Sequence, residues 1–155
     1  PGTVQYRSPS RRTLLTDALI RSVQRQAGRV VSHEVDPAQP ETLVRALAEL
    51  LPTGAVQRED AAAWVAFGAA ASTRPWLADP YWEALQIMRT WVEGVLADAR
   101  KAGRMRVDLS PAEGARLVTA VVNGLTLDLL NAPPTESDEV IGQLRSGLGL
   151  ILRGL

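Results

Sequence analysis

Proline constrains this chain more than any other residue. Inside a helix it removes a hydrogen bond and clashes with the preceding turn, and here the internal prolines fall between stretches with helical apolar spacing. Ser10 is a natural N-cap for a first block whose apolar positions include Leu14, Leu15, Leu19, Val23, Ala27 and Val30. That block fades at the segment from Asp36 to Pro40. A short second helix, about Pro40 to Leu51, is closed by Pro52 and Gly54. A third, about Gln57 to Ala71, is almost uniformly apolar from Ala61 and is broken at Thr73-Arg74-Pro75. The spacing predicts a fourth helix starting after Asp79, with Pro80 in its first turn, and running to Ala102 before Gly103. Ser110-Pro111-Ala112-Glu113 is a capping box that starts a fifth helix, which ends at Asn131 before Pro133-Pro134. The last helix follows Thr135 or Ser137 and is expected to run almost to the C-terminus. No stretch alternates as a strand does, so the fold class is all-α, with about six helices joined by short loops.

Several functions are made improbable by what the chain lacks. There is no cysteine and a single histidine, His33, which rules out thiolate chemistry and the Glu-x-x-His pairs of a di-iron bundle. No glycine-rich phosphate loop or nucleophile elbow occurs. The carboxylates Glu41, Asp79, Glu113 and Asp138 fall at helix starts, where the helix dipole accounts for them. His33 reads as a solvated residue at a helix end. An enzyme is not expected, nor a metal or other cofactor. The longest apolar stretch, Leu117 to Leu130, is interrupted by polar residues and too short to span a bilayer. With no signal peptide visible, a cytoplasmic protein is expected. Formal net charge is zero, but Arg7, Arg11, Arg12, Arg21, Arg25 and Arg29 stand against Asp17 alone in the first 29 residues. A basic end on an acidic body suits an approach to phosphate, although a solvated helix face would look the same.

Aromatic residues are the better lead. All four tryptophans lie between Trp64 and Trp91, together with Phe67, Tyr81 and Met88. Large rings beside the alanines of the third helix leave irregular space, which is filled either by core or by a ligand. On the fifth helix Arg116, Thr119, Asn123 and Thr126 form a single polar stripe. Asn123 needs a partner there: another helix, a second chain, water or a ligand. In the last helix Ile141, Leu144, Leu148, Ile151 and Leu155 recur at the spacing of a coiled-coil seam. Gly147 and Gly149 would let another backbone approach. Because the preceding helix is also apolar all round, a four-helix dimer bundle is the economical solution.

The N-terminal run from Gly2 to Leu15 resembles the junction between head and body in TetR-family transcriptional regulators. There a recognition helix ends in Gly-Thr-hydrophobe-x-Tyr-His-Phe, followed by a small residue, Ser, a basic residue and a long linking helix. Gly2, Thr3, Val4, Tyr6, Ser10, Arg11 and Leu14 fit this pattern. Arg7 and Ser8 depart from it, standing where His and Phe are usual. The order of the six helices also looks like helices four to nine of that family's body.

The resemblance implies a ligand-responsive repressor. Residues 1–9 would be the remnant of a helix-turn-helix head, and residues 10–155 the effector-binding and dimerisation domain. Roughly 40 further residues of a three-helix head would precede the chain. Thr3, Gln5, Tyr6 and Arg11 would lie near operator DNA. A small apolar effector would contact Trp64, Phe67, Met88, Trp91 and Asn123. A homodimer would form through Ile141, Leu144, Leu148, Ile151 and Leu155. The competing expectation is a helical binding or partner-recruiting module without a DNA role.

Overall fold

A computed structural model describes residues 9–155. The expectations for Thr3, Gln5 and Tyr6 lie outside the described residues. Within them the chain forms α1 (Arg11–Val31), α2 (Glu41–Ala48), α3 (Ala55–Ala71), α4 (Pro75–Lys101), α5 (Pro111–Asn131) and α6 (Ser137–Leu148). The capping signals act where the sequence puts them. The Ser10 hydroxyl accepts from the Thr13 N–H, and Ser110 and Glu113 cap each other reciprocally. No described helix is long and apolar enough to cross a membrane.

Two boundaries differ from expectation. Helix α4 starts at Pro75, not Pro80. Arg74 is extended (φ −131°, ψ 97°), which puts Pro75 at a first position where its missing N–H costs nothing. Leu77, fully buried against Leu19 and Ala71, then anchors that extra turn. Pro80 lies inside the helix and leaves the Trp76 carbonyl without its helical donor. Helix α6 stops at Leu148. Beyond it the Arg106 N–H donates to the Ile151 carbonyl (3.0 Å) and the Arg153 N–H to the Arg104 carbonyl (2.7 Å). The C-terminal residues therefore pair with the α4–α5 loop instead of prolonging a helix.

The main core collects α2, the inner faces of α4 and α5, and α6, with Val44, Leu47, Leu96, Val118, Leu144 and Leu148 among its buried residues. A smaller cluster around Leu19, Ala71 and Leu77 joins α1, α3 and the start of α4. This corrects the seam expected on the last helix. Leu144 and Leu148 are 0% exposed, and Ile151 is buried with them, so all three fill the chain's own core and are not available to a partner. Ile141 and Leu155 are half-buried against the same core. Gly147 likewise receives a neighbour from its own chain: a Cβ there would lie 2.7 Å from Val121 Cγ1 on α5.

A cavity walled by four helices

The space predicted among the aromatic residues is a real cavity of about 170 Å³. Helix α1 contributes Val23, Gln26, Ala27 and Val30, and α3 contributes Ala61 and Trp64. Helix α4 adds Leu85, Met88 and Trp91, and α5 adds Val118, Thr119, Val122, Asn123 and Thr126. Leu47 and Leu50 close one end. At the mouth, between α1 and α4, stand Val31 and Ile87, each 63% exposed. None of these lining residues carries a charge.

Four of the five expected ligand contacts, Trp64, Met88, Trp91 and Asn123, are thus brought together. Phe67 is not. One turn further along α3, it turns toward the start of α1 and lies in a separate groove of about 590 Å³ with Arg11, Arg12, Leu15, Arg74 and Trp76. That groove is larger, but Arg11, Arg12, Ala66 and Arg74 on its rim are exposed, whereas the first cavity is enclosed largely by core residues.

Trp64 is held on two sides. Its Nε1–H donates to Asn123 Oδ1 at 3.1 Å, and its ring stacks on Tyr81 with centroids 4.3 Å apart. Burial pushes the Tyr81 phenol up from its ordinary pKa. Gly68 leaves room for it, since a Cβ there would lie 2.8 Å from the Tyr81 hydroxyl. Arg89, over the ring of Trp82, donates from Nε to Thr119 Oγ1 at 3.3 Å.

Helix α5 is inverted relative to a simple amphipathic helix. Three members of its polar stripe, Thr119, Asn123 and Thr126, face the cavity, while Arg116 is exposed; the buried Thr119 and Thr126 hydroxyls donate to the Ala115 and Val122 carbonyls at 3.0 and 2.7 Å. The next stripe round, Leu117, Ala120, Gly124 and Leu127, is exposed.

Behind the cavity lies a charge cluster that sequence reading missed. Asp60 of α3 is buried, yet it accepts from Arg25 Nη2 (2.5 Å), Arg29 Nη1 (2.8 Å) and the Ser22 hydroxyl (3.2 Å) of α1. Burial raises its pKa, but the hydrogen bonds and charges of the two guanidinium groups outweigh this and hold the carboxyl below its usual range. Arg29 also approaches Glu49, which pairs with His33 Nε2 at 3.0 Å. His33 is therefore half-buried and engaged, not a solvated helix end. Two of the six arginines of the basic end, Arg29 and the still exposed Arg25, are likewise turned to Asp60, and Arg11, Arg12 and Arg21 are exposed. The signal for Gln26 was present in the sequence. Leu19, Val23, Gln26 and Val30 follow a core-facing spacing in which Gln26 is the one polar member.

Among the described residues no group of three or more His, Cys, Asp or Glu side chains is placed to hold a metal ion. The family model for the C-terminal part of BetI-type transcriptional repressors matches residues 39–153. No curated protein matches the chain. Among solved structures, a transcriptional regulator from Rhodococcus sp. Rha1 superposes with TM-score 0.81 at 26% identity, covering 98% of this chain and 80% of that one. A protein described as a transcriptional regulator from Saccharomonospora viridis, in complex with choline, superposes with TM-score 0.81 at 26% identity, over 97% and 80% of the two chains. A TetR transcription regulator from Haloarcula marismortui, 16% identical with TM-score 0.74 over 97% and 84%, shares the fold.

Proposed function

The chain belongs to the BetI-type C-terminal family of TetR-like transcriptional regulators, and from that premise we propose that residues 10–155 are the effector-binding and dimerisation body of a repressor, residues 1–9 being the end of its DNA-binding head. The observation that carries this reading is the uncharged cavity one wall of which is α1, the helix that leads back to the N-terminus. A ligand seated between α1 and α4 favours one placement of α1, and only such a difference in affinity between two states can transmit a signal, typically with about 1–3 kcal/mol of coupling. Arg11 and Arg12 support the DNA role. They open α1 with no acidic residue in the first turn, a position where the helix dipole disfavours cations and where a phosphate would favour them.

The effector is a small, uncharged, largely apolar molecule contacting Trp64, Met88, Trp91 and Asn123. A cavity of about 170 Å³ is close to those that bind benzene-sized ligands. Choline, bound by the Saccharomonospora relative, is the informative control: no carboxylate lines this cavity, so only the faces of Trp64 and Trp91 could hold a cation. The homodimer forms through α5 and α6, using the exposed stripe of α5 in place of the buried seam. To test the effector site, the protein is titrated with a panel of small neutral aromatic and aliphatic compounds, following tryptophan emission and melting temperature. Quenching by Trp64 contact and a thermal shift by mass action are expected. A panel that produces neither, or a response to choline alone, refutes the neutral-effector reading.

A further inference from the structure

We propose that Gln26 is the specificity residue of this cavity, and that the effector is a compact uncharged molecule that donates a hydrogen bond to Gln26 Oε1. The inference rests on the effector-site reading above and goes beyond it by naming the recognised group.

The Asp60 carboxylate, held ionised by Arg25 and Arg29, accepts only. Ser22 must therefore donate its hydroxyl proton to Asp60 Oδ1. That leaves the Ser22 oxygen as an acceptor, and Gln26 Nε2 donates to it at 3.2 Å. The same amide nitrogen lies 3.5 Å from the Asp60 backbone carbonyl, another group that only accepts. Both neighbours thus require the amide nitrogen of Gln26 on their side. Its oxygen is left over, with no hydrogen-bond partner among the described residues, on a buried side chain that lines the cavity.

Asn123 is oriented by the same logic in the opposite sense. The Trp64 indole only donates, so Asn123 Oδ1 must face it, and the Asn123 amide N–H groups are the ones without a partner among the described residues. Thr119 and Thr126, which also line the cavity, give their hydroxyl protons to backbone carbonyls, so the two amides are the side chains that present a fixed acceptor and a fixed donor. The Gln26 oxygen is not among the fully buried unpaired atoms; an acceptor of this kind is left unpaired once a ligand without a donor covers it, so the site discriminates against a ligand that lacks the matching donor. Asp60 makes the acceptor permanent: a chain anchored on an ionised carboxylate does not reverse.

The test uses p-cresol, which donates, and 4-methylanisole, in which a methyl group blocks the donor, with affinities measured by calorimetry. The wild type is expected to bind p-cresol at least about tenfold more tightly. Gln26→Met keeps the chain length and removes the acceptor. It should cut the p-cresol preference at least about tenfold and leave 4-methylanisole within about twofold. Gln26→Leu reports the same ratio if the methionine variant does not fold. Equal affinities in the wild type, or a preference that survives in a folded variant, overturn the proposal and leave the cavity as an effector site. If neither compound binds, both the proposal and the effector-site reading fall.

Discussion

Asp60 shows how one residue can tie the fold to the site. It is 1% exposed, and its burial is tolerable only because α1 supplies two guanidinium groups and a hydroxyl. Removing Asp60 leaves the half-buried Arg29 without its acceptor, while Arg25 remains in contact with solvent. Asp60→Ala should therefore cost about 1–3 kcal/mol, readable by urea unfolding. The pH dependence has a definite sign. The folded carboxyl titrates below its unfolded value of about 3.9. Its stabilisation is then fully present above that value and is lost as pH falls through the folded pKa. The stability gap between wild type and Asp60→Asn should stay constant from neutral pH down to about pH 4 and shrink below it. A gap that widens on acidification contradicts the assignment. Asn123 acts on a smaller scale. Asn123→Val leaves the half-buried Trp64 N–H without its acceptor, expected to cost about 1–3 kcal/mol and to shift tryptophan emission without ligand.

At the scale of elements, most helices were legible because their end signals are local. Ser10 and the box of Ser110 and Glu113 cap their helices through their own backbone neighbours, and no distant contact is needed to place them. The errors arose where tertiary contacts outvote local signals. Pro80 reads as a helix start in isolation, but burial of Leu77 draws a further turn in front of it. The seam of α6 has the right period, yet period alone cannot say whether its partner is the same chain or a second one. That Trp64, Met88, Trp91 and Asn123 line one cavity was foreshadowed by the ring of Trp64 among the alanines of α3, the apolar stripe of α4 and the polar stripe of α5. Phe67 was misplaced because one helical turn carries it past the cavity. Asp60 was missed because its partners lie 31 to 38 residues away in sequence. Two substitutions probe these elements. Pro80→Ala should stabilise the chain by up to about 3 kcal/mol by restoring a helical donor to the Trp76 carbonyl. Gly147→Ala should destabilise it by about 1–3 kcal/mol, since the new methyl group meets Val121 and must push α6 from α5. Thermal melts that move in the opposite directions would contradict these packing accounts.

On the scale of the whole molecule, the inverted α5 has a consequence for assembly. Thr119, Asn123 and Thr126 are used on the cavity wall, and one outward stripe between the exposed Arg116 and Asp128 carries leucine, alanine and glycine. Leu117 and Leu127 are 46% and 48% exposed, and Leu150 beyond α6 is 67% exposed. Between the two leucines of α5, Ala120 and Gly124 keep the surface low enough for a helix to approach closely. Helix α6 packs against α5 and carries the small residues Gly142 and Ser146, the latter exposed. A twofold axis across this face would join two helices from each chain and bury about 1,200–2,000 Å². It would also fix the distance between two α1 helices, which a regulator needs to reach major grooves about 34–36 Å apart. The double variant Leu117→Glu, Leu127→Glu should then sediment as a monomer with helicity near wild type, because neither side chain belongs to the core. Leu144→Glu should behave differently and lose the fold, since Leu144 is inside the chain's own core, where even truncation to alanine costs about 2–5 kcal/mol. A wild type that is monomeric at micromolar concentration would refute the dimer, and a double variant that still forms dimers would place the interface elsewhere.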